Sequence, residues 1–185
     1  LYAPGNVVSG NKIYNNSQRG IIMSSYNGNV VDGNTIYDNT LAGIYIASEN
    51  NNISNNIIYN NSDYGIRLNG ASNTTIYSNE IYENQDQNIY LQIGSSDNLI
   101  KNNMIHNSDT DQGIRIVNTD SMNNHIINNT IYENNNGGIW AGSWGSHVGP
   151  GNIISNNTIA NHTNNRAIFV EMNNSVISGN IIYNS

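Results

Sequence analysis

Apolar residues recur along the chain in a block of fixed spacing: apolar, two residues, Asn, one residue, Ile. The block occurs eight times: Val8-Asn11-Ile13, Val31-Asn34-Ile36, Ile53-Asn56-Ile58, Ile76-Asn79-Ile81, Ile100-Asn103-Ile105, Ile126-Asn129-Ile131, Ile154-Asn157-Ile159 and Ile177-Asn180-Ile182. Seven or eight residues beyond its last Ile comes a second block, led by Gly20, Gly43, Gly65, Asn88, Gly113, Gly138 or Ala167 and followed each time by Ile. The Asn-to-Asn spacing is 23, 22, 23, 24, 26, 28 and 23 residues. A repeat of this length marks a solenoid.

Inside each block the apolar period is two, the period of a strand. In the second turn, Val30 to Asp32, Thr35 to Tyr37 and Gly43 to Ile46 each alternate inward apolar with outward polar residues. Gly33-Asn34 supplies a corner between the first two, and such corners need the positive φ that Gly and Asn tolerate best. The repeat is too short for strand–helix–strand units, which take about 30 residues or more. The pattern therefore predicts an all-β, single-stranded parallel β-helix of about eight turns, 22–28 residues each, with three short strands per turn. Right-handed winding follows the rule for parallel crossovers. Equivalent side chains would stack about 4.8 Å apart. This gives an aliphatic column inside and an amide ladder at Asn11, Asn34, Asn56, Asn79, Asn103, Asn129, Asn157 and Asn180.

Composition changes the picture in two places. The chain holds 42 Asn, a bias that could mean a disordered tract, but 29 Ile at fixed spacing can bury a continuous core. Net charge is -7, with 6 basic residues dispersed among 13 acids, so a phosphate-tracking surface and a nucleic-acid partner are not expected. There is no Cys, so no disulfide framework or thiolate metal site. No apolar run approaches the roughly 20 residues that span a bilayer. Residues 1–185 read as one domain and, since the repeats run to both ends without caps, as a piece of a longer chain.

Loop length varies most after the Gly-Ile strand. The longest such loop runs from Trp140 to Gly151 and holds both Trp residues, Trp140 and Trp144, together with His147. Insertions on one face of a repeat array often mark a binding face. The signature Gly-Ile-x-Ile followed by Asn-x-Ile-x-x-Asn-x-Ile resembles the parallel β-helix repeat of the pectate-lyase-like superfold, and most of all its NosD-type, carbohydrate-binding-and-sugar-hydrolase group. That resemblance covers essentially the whole chain. It implies a right-handed β-helix and a polysaccharide groove along the Gly-Ile sheet. Its members include lyases, hydrolases, epimerases, adhesins and scaffolds, so fold alone does not set function. The chain has no Asp-Pro-His motif of the epimerase kind and no glycine-aspartate calcium nonapeptide.

The outward residue of the Gly-Ile strand forms a column: Ile22, Tyr45, Arg67, Tyr90, Arg115, Trp140 and Phe169. Aromatic faces suit sugar rings, and Arg forks suit carboxylates. Tyr45, Arg67, Tyr90, Arg115, Trp140, Trp144 and Phe169 are thus candidate carbohydrate-binding residues. The plain alternative is an exposed β face, where aromatics are common anyway. A second column, Tyr14, Tyr37, Tyr59, Tyr82, His106, Tyr132, Ala160 and Tyr183, is too regular for a local site and reads as register-fixing packing.

Asp109, Asp111, Arg115 and His147 are the candidates for catalysis, as acids, cation and general base, although no nucleophile–base constellation is fixed by spacing. The four His fall in different turns. The resemblance alone raises copper, and neither a metal nor a cofactor is expected. Sequons occur at Asn15, Asn52, Asn60, Asn73, Asn161 and Asn173, about as often as chance gives, and at the tight-corner residues Asn128 and Asn156. The resulting expectation is an extracellular, cell-surface or periplasmic module, structural or carbohydrate-binding, whose partner is a polysaccharide or cell-surface glycan. The alternatives are a polysaccharide lyase or glycoside hydrolase, and a filament or surface layer assembled through the open ends.

Overall fold

The computed structural model describes residues 1, 3–142, 149–163 and 166–185. Every strand in it is short, almost all of three residues, and pairs in parallel with its equivalents one turn away. Three sheets result. The first holds eight strands, from Val7–Ser9 to Val176–Ser178. The second holds eight, from Lys12–Tyr14 to Ile181–Tyr183, and the third seven, from Ile21–Met23 to Ile168–Val170. The coil therefore makes seven complete turns and begins an eighth, slightly fewer than the eight repeats of the Asn block suggest.

Register is the one the repeats dictate. Val31 pairs with Ile53, Ile53 with Ile76, Ile36 with Ile58 and Ile58 with Ile81. In the first two sheets the middle residue of each strand points inward; in the third the outer two do. Each turn thus contributes four inward residues to one dry column. From Val31 to Ile159 these side chains are almost wholly buried, Ile36, Ile58 and Ile81 included. Ile177 and Ile182 have a neighbouring turn on one side only and are half exposed.

The Asn ladder is continuous. Each Nδ2 donates to the Oδ1 one turn on at 3.0 Å, from Asn11–Asn34 through Asn157–Asn180. The same Oδ1 also accepts from the preceding Asn's backbone N–H, at 2.9–3.0 Å. Each buried amide is thereby satisfied, where an orphaned one would cost about 1–3 kcal/mol. The residue before each ladder Asn has φ between 55° and 67°, which explains why Gly or Asn stands there so often.

Two further ladders flank this one. Asn6, Asn29, Asn51, Asn98, Asn124 and Asn152 occupy the corner leading into the first sheet, with Thr74 interrupting them. Asn16, Asn39, Asn61 and Asn84 occupy the corner leaving the second sheet. The three ladders lie five residues apart within each turn, one three-residue strand and one positive-φ residue separating them. That spacing of five is visible in the sequence, but one ladder alone was read from it.

Candidate functional site

The third sheet presents the candidate binding column. Tyr45 pairs with Arg67, Arg67 with Tyr90, Tyr90 with Arg115, Arg115 with Trp140 and Trp140 with Phe169. Strand alternation turns all of them outward, because the residues on either side of each, such as Ile44 and Ile46, face the core. The predicted column therefore exists as one stripe along the helix axis. Trp144 and His147 lie outside the described residues.

The rings of this stripe are not bare platforms. Arg19 holds its guanidinium 4.4 Å over Tyr45, and Arg67 lies 5.8 Å from the same ring and 5.2 Å from Tyr64. Such cation–π pairs contribute about 0.5–1 kcal/mol each when exposed. Tyr64 stacks on Tyr90 at 4.8 Å. Gln92, with its carboxamide oxygen turned toward Arg67, accepts from Nη2 at 2.5 Å and Nε at 3.2 Å and donates to the Tyr90 hydroxyl at 3.1 Å. Farther along, Trp140 is buried, its ring 4.0 Å from Phe169 and tilted 32° to it. Arg166 covers Phe169 at 4.9 Å. What this face offers a ligand is guanidinium edges and phenol hydroxyls set between ring edges.

Acids line the entrance to the same sheet. Asp63, Asp86 and Asp111 each stand three residues before the Ile that opens a strand, so they follow one another turn by turn. Asp111 is 3.5 Å from Arg115 Nη1 and accepts from Asn136 Nδ2 at 3.3 Å and from Gln87 Nε2. Burial raises its pKa above the usual carboxylate value although Arg115 opposes the shift. Asp63 is raised by burial and then by Asp86. Burial, with Asp63 beside it, pushes the Tyr64 phenol up to about 12. Asp109 lies on the far side of this corner, in a cleft of about 220 Å³ with Asn60, Asn61, Ser62, Gln85 and Thr110. The structure thus joins Asp111 to Arg115 and sets Asp109 apart from that pair. No group of three His or acidic residues that could hold a metal occurs among the described residues.

These windings match a known family model, that of the right handed beta helix region, over residues 1–150. The chain belongs to the right-handed β-helix family. No curated protein sequence matches it. Among solved structures it is similar to the periplasmic alginate epimerase AlgG, with 21% identity, a TM-score of 0.79, and coverage of 97% of this chain and 45% of that one. It is similar also to the A-module of the mannuronan C-5 epimerase AlgE4 from Azotobacter vinelandii, with 20% identity, a TM-score of 0.83, and coverage of 97% and 54%. A third similar structure is the pectate lyase Pel9A, with 15% identity, a TM-score of 0.62, and coverage of 96% and 56%. This β-helix spans about half the length of those structures, and likenesses at these identities bear on fold alone.

The second outward column is a ring stack. Tyr14, Tyr37, Tyr59, Tyr82, His106 and Tyr132 lie parallel within 9°, with centroids 4.7–5.0 Å apart. His106 Nε2 is 3.5 Å from Glu80. Of the sequons, Asn15, Asn60, Asn73 and Asn161 are exposed positive-φ corner residues, and Asn173 is exposed. Asn52 lies in the strand Asn52–Ser54 with its Oδ1 buried.

What the sequence reading missed was where the arginines converge. The two Lys stand on other sheets, Lys12 on the second and Lys101 on the first. All four Arg stand on or beside the third sheet. Arg19 and Arg166 escaped because each lies two residues before its Ile and not in the outward column itself.

Proposed function

We propose that the third sheet of this β-helix holds a polysaccharide chain lying along the helix axis, in an extracellular, cell-surface or periplasmic protein. The observation that carries the reading is the outward stripe from Tyr45 to Phe169, in which every turn contributes an aromatic ring or a guanidinium to one straight face. The named activities of the similar structures, alginate epimerase and pectate lyase, support a carbohydrate ligand, and the periplasmic one supports the location. The test is binding of the purified chain to an array of acidic and neutral polysaccharides. A Tyr90→Ala variant should lose signal, and an unchanged signal would remove the stripe from the site.

A second reading is catalysis at the same face. It is favoured by the cluster of Tyr64, Tyr90, Asp111 and Arg115, in which burial holds the two phenols and the carboxyl protonated more strongly than usual. Arg115 would stabilise negative charge developing on a substrate carboxylate, and a tyrosine or Asp111 would carry the proton. His147 remains a candidate partner, whereas Asp109 lines the separate cleft and is not one. Incubation with uronate polysaccharides, following the absorbance of unsaturated products and the appearance of reducing ends, tests it; no turnover leaves binding alone.

A further inference from the structure

The four arginines of the third sheet fall in every other turn. Arg19 belongs to the first turn, Arg67 to the third, Arg115 to the fifth and Arg166 to the seventh. Successive arginine positions are thus two turns apart, on the order of 10 Å along the axis at about 4.8 Å per turn, and Arg19 and Arg67 meet the Tyr45 ring of the turn between them. Three of them are held by aromatic rings: Arg19 over Tyr45, Arg67 between Tyr45 and Tyr64, and Arg166 over Phe169. Arg115 is held by Asp111. Stacking fixes a guanidinium's plane; Arg67 gives Nε and one Nη2 donor to Gln92 and Arg115 turns Nη1 to Asp111, and the remaining in-plane N–H donors can meet an oxyanion.

We propose that the third sheet selects a linear acidic glycan whose acidic groups recur on one side at every second sugar, each such group meeting one arginine of the every-other-turn series. This deepens, and rests on, the polysaccharide reading above. A β-1,4-linked pyranose ribbon turns over at each sugar, so its C6 substituents return to the same side every two residues, about 10 Å apart, the length of two windings. A ligand read by ring stacking alone would find Tyr45 already covered and Trp140 buried. The contacts left to it are charge-assisted, and those are the stronger kind. A single-stranded nucleic acid carries one phosphate per nucleotide, a shorter repeat that the two-turn spacing does not match.

The experiment is calorimetric titration of the whole chain with cello-oligosaccharides and with β-1,4-glucuronate oligosaccharides of equal length. The two share a backbone and differ in the C6 carboxylate. The expected result is binding of the glucuronates alone, with affinity rising in steps of two sugars and falling with salt. Arg67→Gln and Arg115→Gln should each weaken binding about tenfold or more, and Lys101→Gln should leave it unchanged. Sulfated cello-oligosaccharides form a third arm: binding equal to the glucuronates keeps the proposal and extends the anion to sulfate. Equal binding of neutral and acidic series, with no effect of Arg67→Gln, overturns the charge register and leaves the polysaccharide reading standing. No binding of any glycan, at unchanged thermal stability of the variants, overturns both.

Discussion

Asn88 donates through Nδ2 to Oδ1 of Asn134, two turns and 46 residues away, at 3.1 Å. Its own Oδ1 accepts from Asn84 Nδ2 at 2.8 Å. Other turns carry Gly at this position: Gly20, Gly43, Gly65, Gly113 and Gly138. A Cβ at Gly65 would come 2.6 Å from the Asn88 backbone oxygen, 2.6 Å from Ile81 Cγ2 and 2.8 Å from Asn84 Nδ2, so the next turn, its ladder amide included, normally crowds out a side chain. In the turn after Asn88 the ladder position is Ser108, whose side chain is too short to bridge. Asn88 reaches into the vacated space and reconnects Asn84 to Asn134.

Asn88 and Ser108 should therefore couple. Asn88→Gly alone removes the side-chain hydrogen bonds to Asn84 and Asn134 and should cost about 1–3 kcal/mol. Ser108→Asn alone crowds Asn88 and should cost a similar amount, about 1–3 kcal/mol. The double variant rebuilds the arrangement of the other turns and should recover most of the loss, giving a coupling of about 1–3 kcal/mol in urea denaturation. Additive effects would mean that the two positions do not share this space.

The ladder should be worth most where it is buried. Asn79 donates Nδ2 to Asn103 Oδ1 and to the Ile53 and Tyr77 carbonyls, and its Oδ1 accepts from Asn56. Asn79→Ala should cost about 2–3 kcal/mol. The side chain of Asn11, exposed at the first turn, donates to the Ser9 carbonyl and to Asn34 Oδ1, and Asn11→Ala should cost less than about 1 kcal/mol. Equal losses in paired thermal melts would contradict the account of the ladder as a buried-amide device.

His162 holds the ladder position of the seventh turn. Its Nδ1 accepts from the Asn134 N–H at 3.2 Å, and its ring is nearly buried. Burial lowers its pKa below the usual value of about 6.5. In the unfolded chain it binds a proton near that value; in the folded chain it does so only at lower pH. Its share of stability is therefore fully present above about pH 6.5 and is lost as pH falls through the folded pKa. Stability measured from pH 8 to pH 5 should fall more in the parent than in His162→Asn, which restores the residue type of the other turns. Parallel profiles would show that His162 does not titrate across folding.

How much of this was legible in the sequence depended on how strictly each column repeats. Val31, Ile53 and Ile76, with Asn34, Asn56 and Asn79, recur without a slip, since a lost apolar group or an orphaned amide is costly, and they revealed strands, register and one ladder. The other two ladders are interrupted by Thr74 and Ser108, and the repair at Asn88 joins groups two turns apart, which no periodicity exposes. The binding column from Tyr45 to Phe169 was legible as positions. That Arg19 and Arg67 would cover Tyr45, and that Trp140 would be buried, depends on side-chain packing between turns, which the pattern does not encode.

The two aromatic columns should separate in experiment. In the stack from Tyr14 to Tyr132 each interior ring has a ring on both faces at 4.7–5.0 Å. Such faces are closed to a sugar, and only edges and hydroxyls reach solvent. Tyr82→Ala opens a gap between Tyr59 and His106 and should cost about 1–2 kcal/mol of stability, with glycan affinity unchanged. Tyr90→Ala on the third sheet removes the ring stacked on Tyr64 and the hydroxyl that Gln92 meets, and should lower glycan affinity severalfold or more. A loss of affinity in Tyr82→Ala that matches Tyr90→Ala, at equal folded fraction, would move the binding face from the third sheet to the second.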